Sequence, residues 1–250
     1  MTGRTRLRQA VIVAADQPAA ERALGTELGL HDPFYDPGIA HFGLTNAVFT
    51  VGDTFLEVIS PAREGTTAGR YRERIGGDGG YMAMFQVPDI DDAQKRLIDL
   101  DVRVVFDGSH PDIADLHLHP RDVPGAIVAL NEARPPGSWR FGGPAWEAKV
   151  PSLVEPGGLR GLTVRSPDPA ALAERWAAVI GVEVTRTGRD GGGDPAQIHL
   201  DEGRQVVRFV DAAGQPEGIC AIAVAVPAEV RAGRDEISLH GVTFQLIDAT

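Results

Sequence analysis

The chain has 250 residues, 43% of them apolar, and a formal net charge of -11. That apolar share supports a folded core rather than a disordered chain, while the acidic balance excludes a general nucleic-acid binder and disfavours docking on anionic membranes. A single cysteine, Cys220, excludes an internal disulfide, and the apolar run in "MTGRTRLRQAVIVAADQP" is too short for a signal-peptide core or a membrane span, so a cytoplasmic protein is expected.

In chain order, "RQAVIVAA" is a continuous apolar run and reads as a buried strand. Asp16 is placed to cap a helix over "PAAERALGTELG", with Pro18 in the first turn, Gly29 at the end and an apolar stripe of Ala20, Leu24 and Leu28. Three strands are expected next, in "IAHFGL", "NAVFTVG" and "TFLEVIS", the last two joined by a turn at Gly52 and Asp53. A second unit repeats the plan: strand "GYMAMFQV", helix "DIDDAQKRLIDLD" capped by Asp89, then strands "VRVVFDG" and "GAIVALNE". Ala133 to Gly158 is rich in Pro, Gly and Trp, has no regular period and reads as a connector.

After it the plan restarts with strand "LRGLTVRS", helix "PDPAALAERWAAVIG" and a hairpin of "AQIHLDEG" and "RQVVRFVD". "GRDGGGDP" reads as a flexible loop, not a nucleotide site. The stretch from Gly218 begins and ends as a strand, but its middle is too short for a full helix and third strand. Four tandem units form an internal repeat whose last copy is degenerate. The expected domains are 1–135, a connector over 136–157, and a shortened second domain over 158–250.

Glu57 is the sharpest chemical candidate, because "TFLEVIS" is otherwise apolar and β-branched. A carboxylate there faces either solvent, on an edge strand, or a cavity in which it can move a proton. His117 and His119, two apart in "LHLHPRD", share a strand face if extended and then suit a metal; the alternative is a turn at His119-Pro120. His119 retains a role as acid or base at a cavity mouth. Arg63, Arg70, Arg72 and Arg74 lie in a Gly-rich stretch, either as an anion clamp or as a solvated helical turn with Arg70 and Arg74 one turn apart. His41 and Asn46 flank "FGLT" and either polarise a carbonyl or bond locally. Trp139, Phe141 and Trp146 either cover a pocket mouth or pin the connector. Cys220, inside "ICAIAVAV", reads as an inert buried thiol.

Taken together, "LRQAVIVAADQPAAERALGTELGL", "GDTFLEVISP", "GGYMAMFQVPDIDDAQKRL" and "LHLHPRDVPGAIVALNE" resemble the vicinal oxygen chelate superfamily, which groups glyoxalases, bleomycin-resistance proteins and extradiol dioxygenases. The last segment looks like the corresponding end of methylmalonyl-CoA epimerases, and "HFGLTNAVFTVGDTFLEVISP" is similar to the glyoxalase-like branch. The resemblance implies an α+β fold of tandem βαβββ modules whose mixed sheets curve around a cavity. It places the chelating positions on Gln9, Glu57, Tyr81 or Met82, and Ala129, and in the second half on Gly161, Arg208, Cys220 and Gln245. Only Glu57 is an ordinary ligand for a hard cation. No cofactor is therefore expected; if a divalent metal binds, its ligands are Gln9, Glu57 and His119. The implied partner is a small organic molecule, bound by a monomer or homodimer. The resemblance implies a lyase or isomerase working next to a carbonyl, with Glu57, His41 and His119 in the chemistry and Gln9, Asn46, Arg70, Arg74, Tyr81 and Met82 binding substrate. The alternatives are a binding protein that sequesters a drug-like molecule, or a metal-dependent dioxygenase.

Overall fold

The computed structural model describes residues 4–144, 146, 158–185 and 196–249. The loop "GRDGGGDP" and most of the connector beyond Pro144 lie outside the described residues.

Strand β1 (Arg6–Val13) is buried along its whole length. Helix α1 (Gln17–Leu28) starts where Asp16 accepts from the Ala19 N–H and stops where Gly29 adopts a left-handed φ of 68°. Its buried stripe is Gln17, Ala20, Leu24 and Leu28. The hairpin β2 (Leu44–Val51) and β3 (Thr54–Pro61) follows, then α2 (Thr67–Ile75) and β4 (Gly79–Gln86). Next come α3 (Ile90–Asp99), β5 (Val104–Asp107), β6 (Ile113–Leu118) and β7 (Ile127–Ala133). Beyond the connector lie β8 (Gly158–Ser166), α4 (Pro169–Ile180), β9 (Val184–Thr185), β10 (Ala196–Leu200) and β11 (Gln205–Asp211). The chain finishes with β12 (Gly218–Val226), α5 (Ala228–Arg231), β13 (Glu236–Leu239) and β14 (Val242–Asp248).

The architecture is α+β, with two seven-stranded mixed sheets ordered β2-β3-β1-β4-β7-β6-β5 and β13-β14-β12-β8-β11-β10-β9. The repeat is visible in the pairing. The first and last strands of each module lie parallel: β1 with β3, β4 with β7, β8 with β11 and β12 with β14. A helix lies between the two strands of each pair in sequence, as a parallel crossover requires. In the fourth copy that helix is only Ala228–Arg231.

The chain packs as two compact units. One consists of Met1–Leu7, Met82–Ser138 and Gly161–Ile219; the other of Arg8–Tyr81, Trp139–Arg160 and Cys220–Thr250. In the first, Trp176 stands edge-on to Phe85 and Phe209 at 5.9 and 5.5 Å, and its indole N–H reaches the Pro124 carbonyl at 2.9 Å. In the second, Phe55 stacks on Trp139 at 6.1 Å.

Two local expectations need correction, and one open alternative is decided. "IAHFGL" is not a strand: Pro37–Phe42 is a short 3-10 helix, because Asp36 caps it through the Gly38 N–H and Gly43 ends it with φ 70°. The Gly-rich arginine stretch takes the helical alternative: Thr66 caps α2 by accepting from the Gly69 N–H, and Gly76 closes it. Cys220 is half-buried rather than fully enclosed, although its strand β12 is otherwise buried. Strand β6 was hidden by its composition, because "IADLHL" carries an aspartate and a histidine at inner positions.

Candidate functional site

Glu57 lies mid-strand in β3 and is 6% exposed. The register explains its neighbours. Gln9 pairs with Phe55 across β1–β3, and Asn46 pairs with Ile59 across β2–β3. Because side chains alternate along a strand, Gln9, Asn46 and Glu57 emerge on one face. There the Gln9 Nε2–H donates to Glu57 Oε2, and the Asn46 Nδ2–H donates to Glu57 Oε1, both at 2.7 Å.

Both amides are held in the orientation that presents N–H to the carboxylate. The Trp139 indole N–H donates to Gln9 Oε1 at 2.7 Å. The Asp36 backbone N–H donates to Asn46 Oδ1 at 3.0 Å. Flipping either amide would break that bond and turn an oxygen toward the carboxylate. Two neutral donors therefore satisfy the ionised form of Glu57 in a dry surrounding.

Arg8, fully buried on β1, places its guanidinium over the rings of Phe55, Trp139 and Trp146 at 5.7, 5.4 and 5.5 Å. Sequence reasoning missed Arg8, and it treated Trp139 as packing rather than as a donor. The only available signal was a charged residue in a lead-in, "RLRQ", that continues into a buried run.

Tyr81 is the third residue of β4, a strand buried along its whole length, and is 7% exposed. Its ring stands edge-on to Tyr71 at 5.2 Å, and the Tyr71 hydroxyl donates to the Gly80 carbonyl at 2.6 Å. Burial pushes the Tyr81 phenol up to about 12, with the neighbouring Tyr71 and the charge of Glu57 acting in the same sense and Arg70 opposing them. Tyr81 thus keeps its proton at any physiological pH.

The remaining candidates are placed as follows. Arg70 folds back on its own helix, donating to the Gly65 carbonyl at 2.6 Å and to Thr67 Oγ1 at 3.2 Å. Arg74 lies over the Tyr71 ring at 4.9 Å. Met82 is buried in β4 opposite Ile127. His41 is exposed in the 3-10 helix, edge-on to Phe42. His119 and Met82 belong to the unit that does not contain Glu57. His119 forms a turn: its carbonyl accepts from the Asp122 and Val123 N–H groups and its Nδ1 from the Arg121 N–H. His117 is one residue inside the end of β6 and bonds Asp115 at 3.1 Å.

The residues at the chelating positions do not fit a hard divalent cation. Gln9 Oε1, the one atom of that side chain able to bind a cation, is taken by Trp139. Each Glu57 oxygen receives an amide. Met82 offers a soft thioether and Ala129 offers nothing. In the second half, a side chain at Gly161 would place its Cβ 1.8 Å from the Val206 carbonyl oxygen. Among the described residues, no group of three or more His, Cys, Asp and Glu side chains is placed to hold a metal ion.

An open cleft of ≈ 780 Å³ lies beside this cluster, lined by Asp16, Gln17, Tyr35, Asp36, Leu44 and Asn46 among others. Asn46 is shared: it lines the cleft and holds Glu57. Among the described residues, no arginine or lysine lines it. No helix of the described residues is long and apolar enough to cross a membrane.

The fold is of the glyoxalase-like kind, with tandem modules in two mixed sheets. No family model matches the chain. It is 29% identical over 136 residues to the ethylmalonyl-CoA/methylmalonyl-CoA epimerase of Cereibacter sphaeroides, a match covering 51% of this chain and 97% of the relative. Across nearly its full length it is similar to the crystal structure of a hypothetical protein from Staphylococcus aureus, with a TM-score of 0.72, 11% identity and coverage of 98% and 99% of the two chains. The crystal structure of methylmalonyl-CoA epimerase from Mycobacterium tuberculosis covers 51% of this chain and 87% of its own, at 21% identity and a TM-score of 0.45.

Proposed function

We propose that this protein binds a small carbonyl compound and moves the proton next to that carbonyl, as a glyoxalase-like isomerase or lyase with Glu57 as the base. One observation carries the reading: a buried carboxylate whose two oxygens are each met by an oriented amide N–H. That arrangement fixes the carboxylate in place, out of bulk water and hydrogen-bonded at both oxygens, which suits a general base. The half-chain likeness to an epimerase whose name specifies acyl-CoA thioesters supports a thioester as the first substrate to try.

A sequestration protein without chemistry is the second reading, favoured by the absence of a fitting chelating set. One experiment separates them. The protein is incubated with methylmalonyl-CoA in deuterated water, and α-deuterium uptake is followed by mass spectrometry. Uptake by the natural protein, reduced by at least about 100-fold in Glu57→Gln, supports proton transfer. Thioester binding without uptake supports sequestration, and uptake undiminished in Glu57→Gln removes Glu57 from the chemistry.

A further inference from the structure

We propose that the cleft at the start of α1 binds a small organic ammonium ion: a primary amine, protonated at neutral pH, carried on an apolar body. This site goes beyond the reading of Glu57 as a base and does not depend on it.

The key atom belongs to Gln17, which opens α1, lines the cleft and is only 9% exposed. Its Nε2 donates to Glu21 Oε1 at 2.7 Å and to the Asn46 carbonyl at 2.8 Å. Both partners are acceptors, so the amide cannot turn over without setting its own oxygen against two others. Oε1 is thereby fixed as an acceptor, and it is buried without a partner. A buried acceptor in that state costs stability until something donates to it. The carboxamide bridges α1 to Asn46, and both residues line the cleft. The missing donor is therefore supplied by an occupant of the cleft.

The walls set the charge of that donor. Asp16 and Asp36 each cap a helix with one carboxylate oxygen. Among the described residues, the second oxygen of each has no partner, and no arginine or lysine lines the cleft. The positive end of α1 would by itself favour an anion, but Asp16 already sits there as the N-cap. The Tyr35 hydroxyl is tied to Glu21 at 2.9 Å while its ring is 56% exposed, which leaves an aromatic face for a cation. Pro18, Pro37, Ile39 and Leu44 supply the apolar wall. All of these residues lie in one compact unit. A phosphorylated carrier such as coenzyme A meets carboxylates here and no counter-charge, whereas an ammonium N–H meets an unfilled acceptor and two free carboxylate oxygens.

The test is isothermal titration calorimetry at neutral pH and low salt, with benzylammonium, benzyltrimethylammonium and coenzyme A as probes. Benzylammonium is expected to saturate one site. Benzyltrimethylammonium keeps the charge and the ring but has no N–H, and should bind at least about tenfold more weakly. Asp16→Asn with Asp36→Asn keeps both caps, because Asn caps as well as Asp, and should weaken benzylammonium by at least about tenfold. Gln17→Met should erase the preference for the primary ion. No saturation with benzylammonium below about 10 mM overturns the site. Equal affinities for the two cations in the natural protein overturn the role of Gln17 Oε1. Undiminished benzylammonium binding in the double Asn variant puts the ion elsewhere and also overturns the site. Displacement of benzylammonium by coenzyme A overturns the assigned charge. Should Gln17→Met fail to fold, the probe series and the double Asn variant decide without it.

Discussion

The Trp139 indole N–H meets Gln9 Oε1 at 2.7 Å and so decides which end of the Gln9 amide faces Glu57. The two residues are 130 positions apart in sequence, and both are 1% exposed. Trp139→Phe keeps a ring to stack on Phe55 but leaves Gln9 Oε1 buried and unpaired. A loss of about 1–3 kcal/mol in urea-induced unfolding is expected. Stability within about 0.5 kcal/mol of the natural protein would show that the bond sets nothing.

Asn46→Asp replaces an N–H donor with a second carboxylate 2.7 Å from a Glu57 oxygen. Two carboxylates so close share one proton, so the folded variant holds a proton that the unfolded chain releases at ordinary carboxylate values. The folded affinity for that proton is raised, so the variant is stable at low pH and loses stability as pH rises through the raised value. Thermal midpoints measured from pH 4 to pH 8 should fall in the variant relative to the natural protein. Parallel curves would place residue 46 away from Glu57.

Asp78 gives the opposite dependence. Burial by itself would raise it, but bonds from His240 at 2.8 Å, from the Ala15 N–H at 2.8 Å and from Arg72 at 3.0 Å outweigh burial and hold it below its ordinary 3.8. A depressed carboxylate contributes stability that is fully present above its unfolded value and is lost as pH falls through the folded one. Asp78→Asn should therefore flatten the acid limb of the stability curve below about pH 4. An unchanged limb would mean that other carboxylates govern acid unfolding.

Gly161 has no room for a side chain, since a Cβ would meet the Val206 carbonyl oxygen at 1.8 Å and φ is 155°. Gly161→Ala should push β11 away from β8 and lower stability by more than about 3 kcal/mol, read as a lost soluble yield or a collapsed thermal midpoint. A well-folded Gly161→Ala protein would show that the two strands separate more easily than their pairing suggests.

The regular parts of this fold were legible because local chemistry fixed them. Asp16 and Asp89 cap their helices as their positions suggest, and the hairpin turn falls at Gly52 and Asp53. Glu57 stood out for the simple reason that its strand offered no other charge. The 3-10 helix over Pro37–Phe42 escaped because "IAHF" is apolar enough to pass for a strand, while the deciding signals, Asp36 and Gly43, lie outside it. The network around Glu57 was only half visible. Gln9 and Asn46 were marked by the resemblance, but which atom each presents depends on Trp139 and on the Asp36 backbone, and no local spacing encodes those contacts.

Each compact unit draws strands from both sides of the connector. A cut made there would not release two independent mini-proteins. It would split both hydrophobic interiors at once, leaving fragments that must find each other before either interior can close. The polypeptide is therefore a single folding obligation, and fragment complementation rather than domain excision is the way to take it apart.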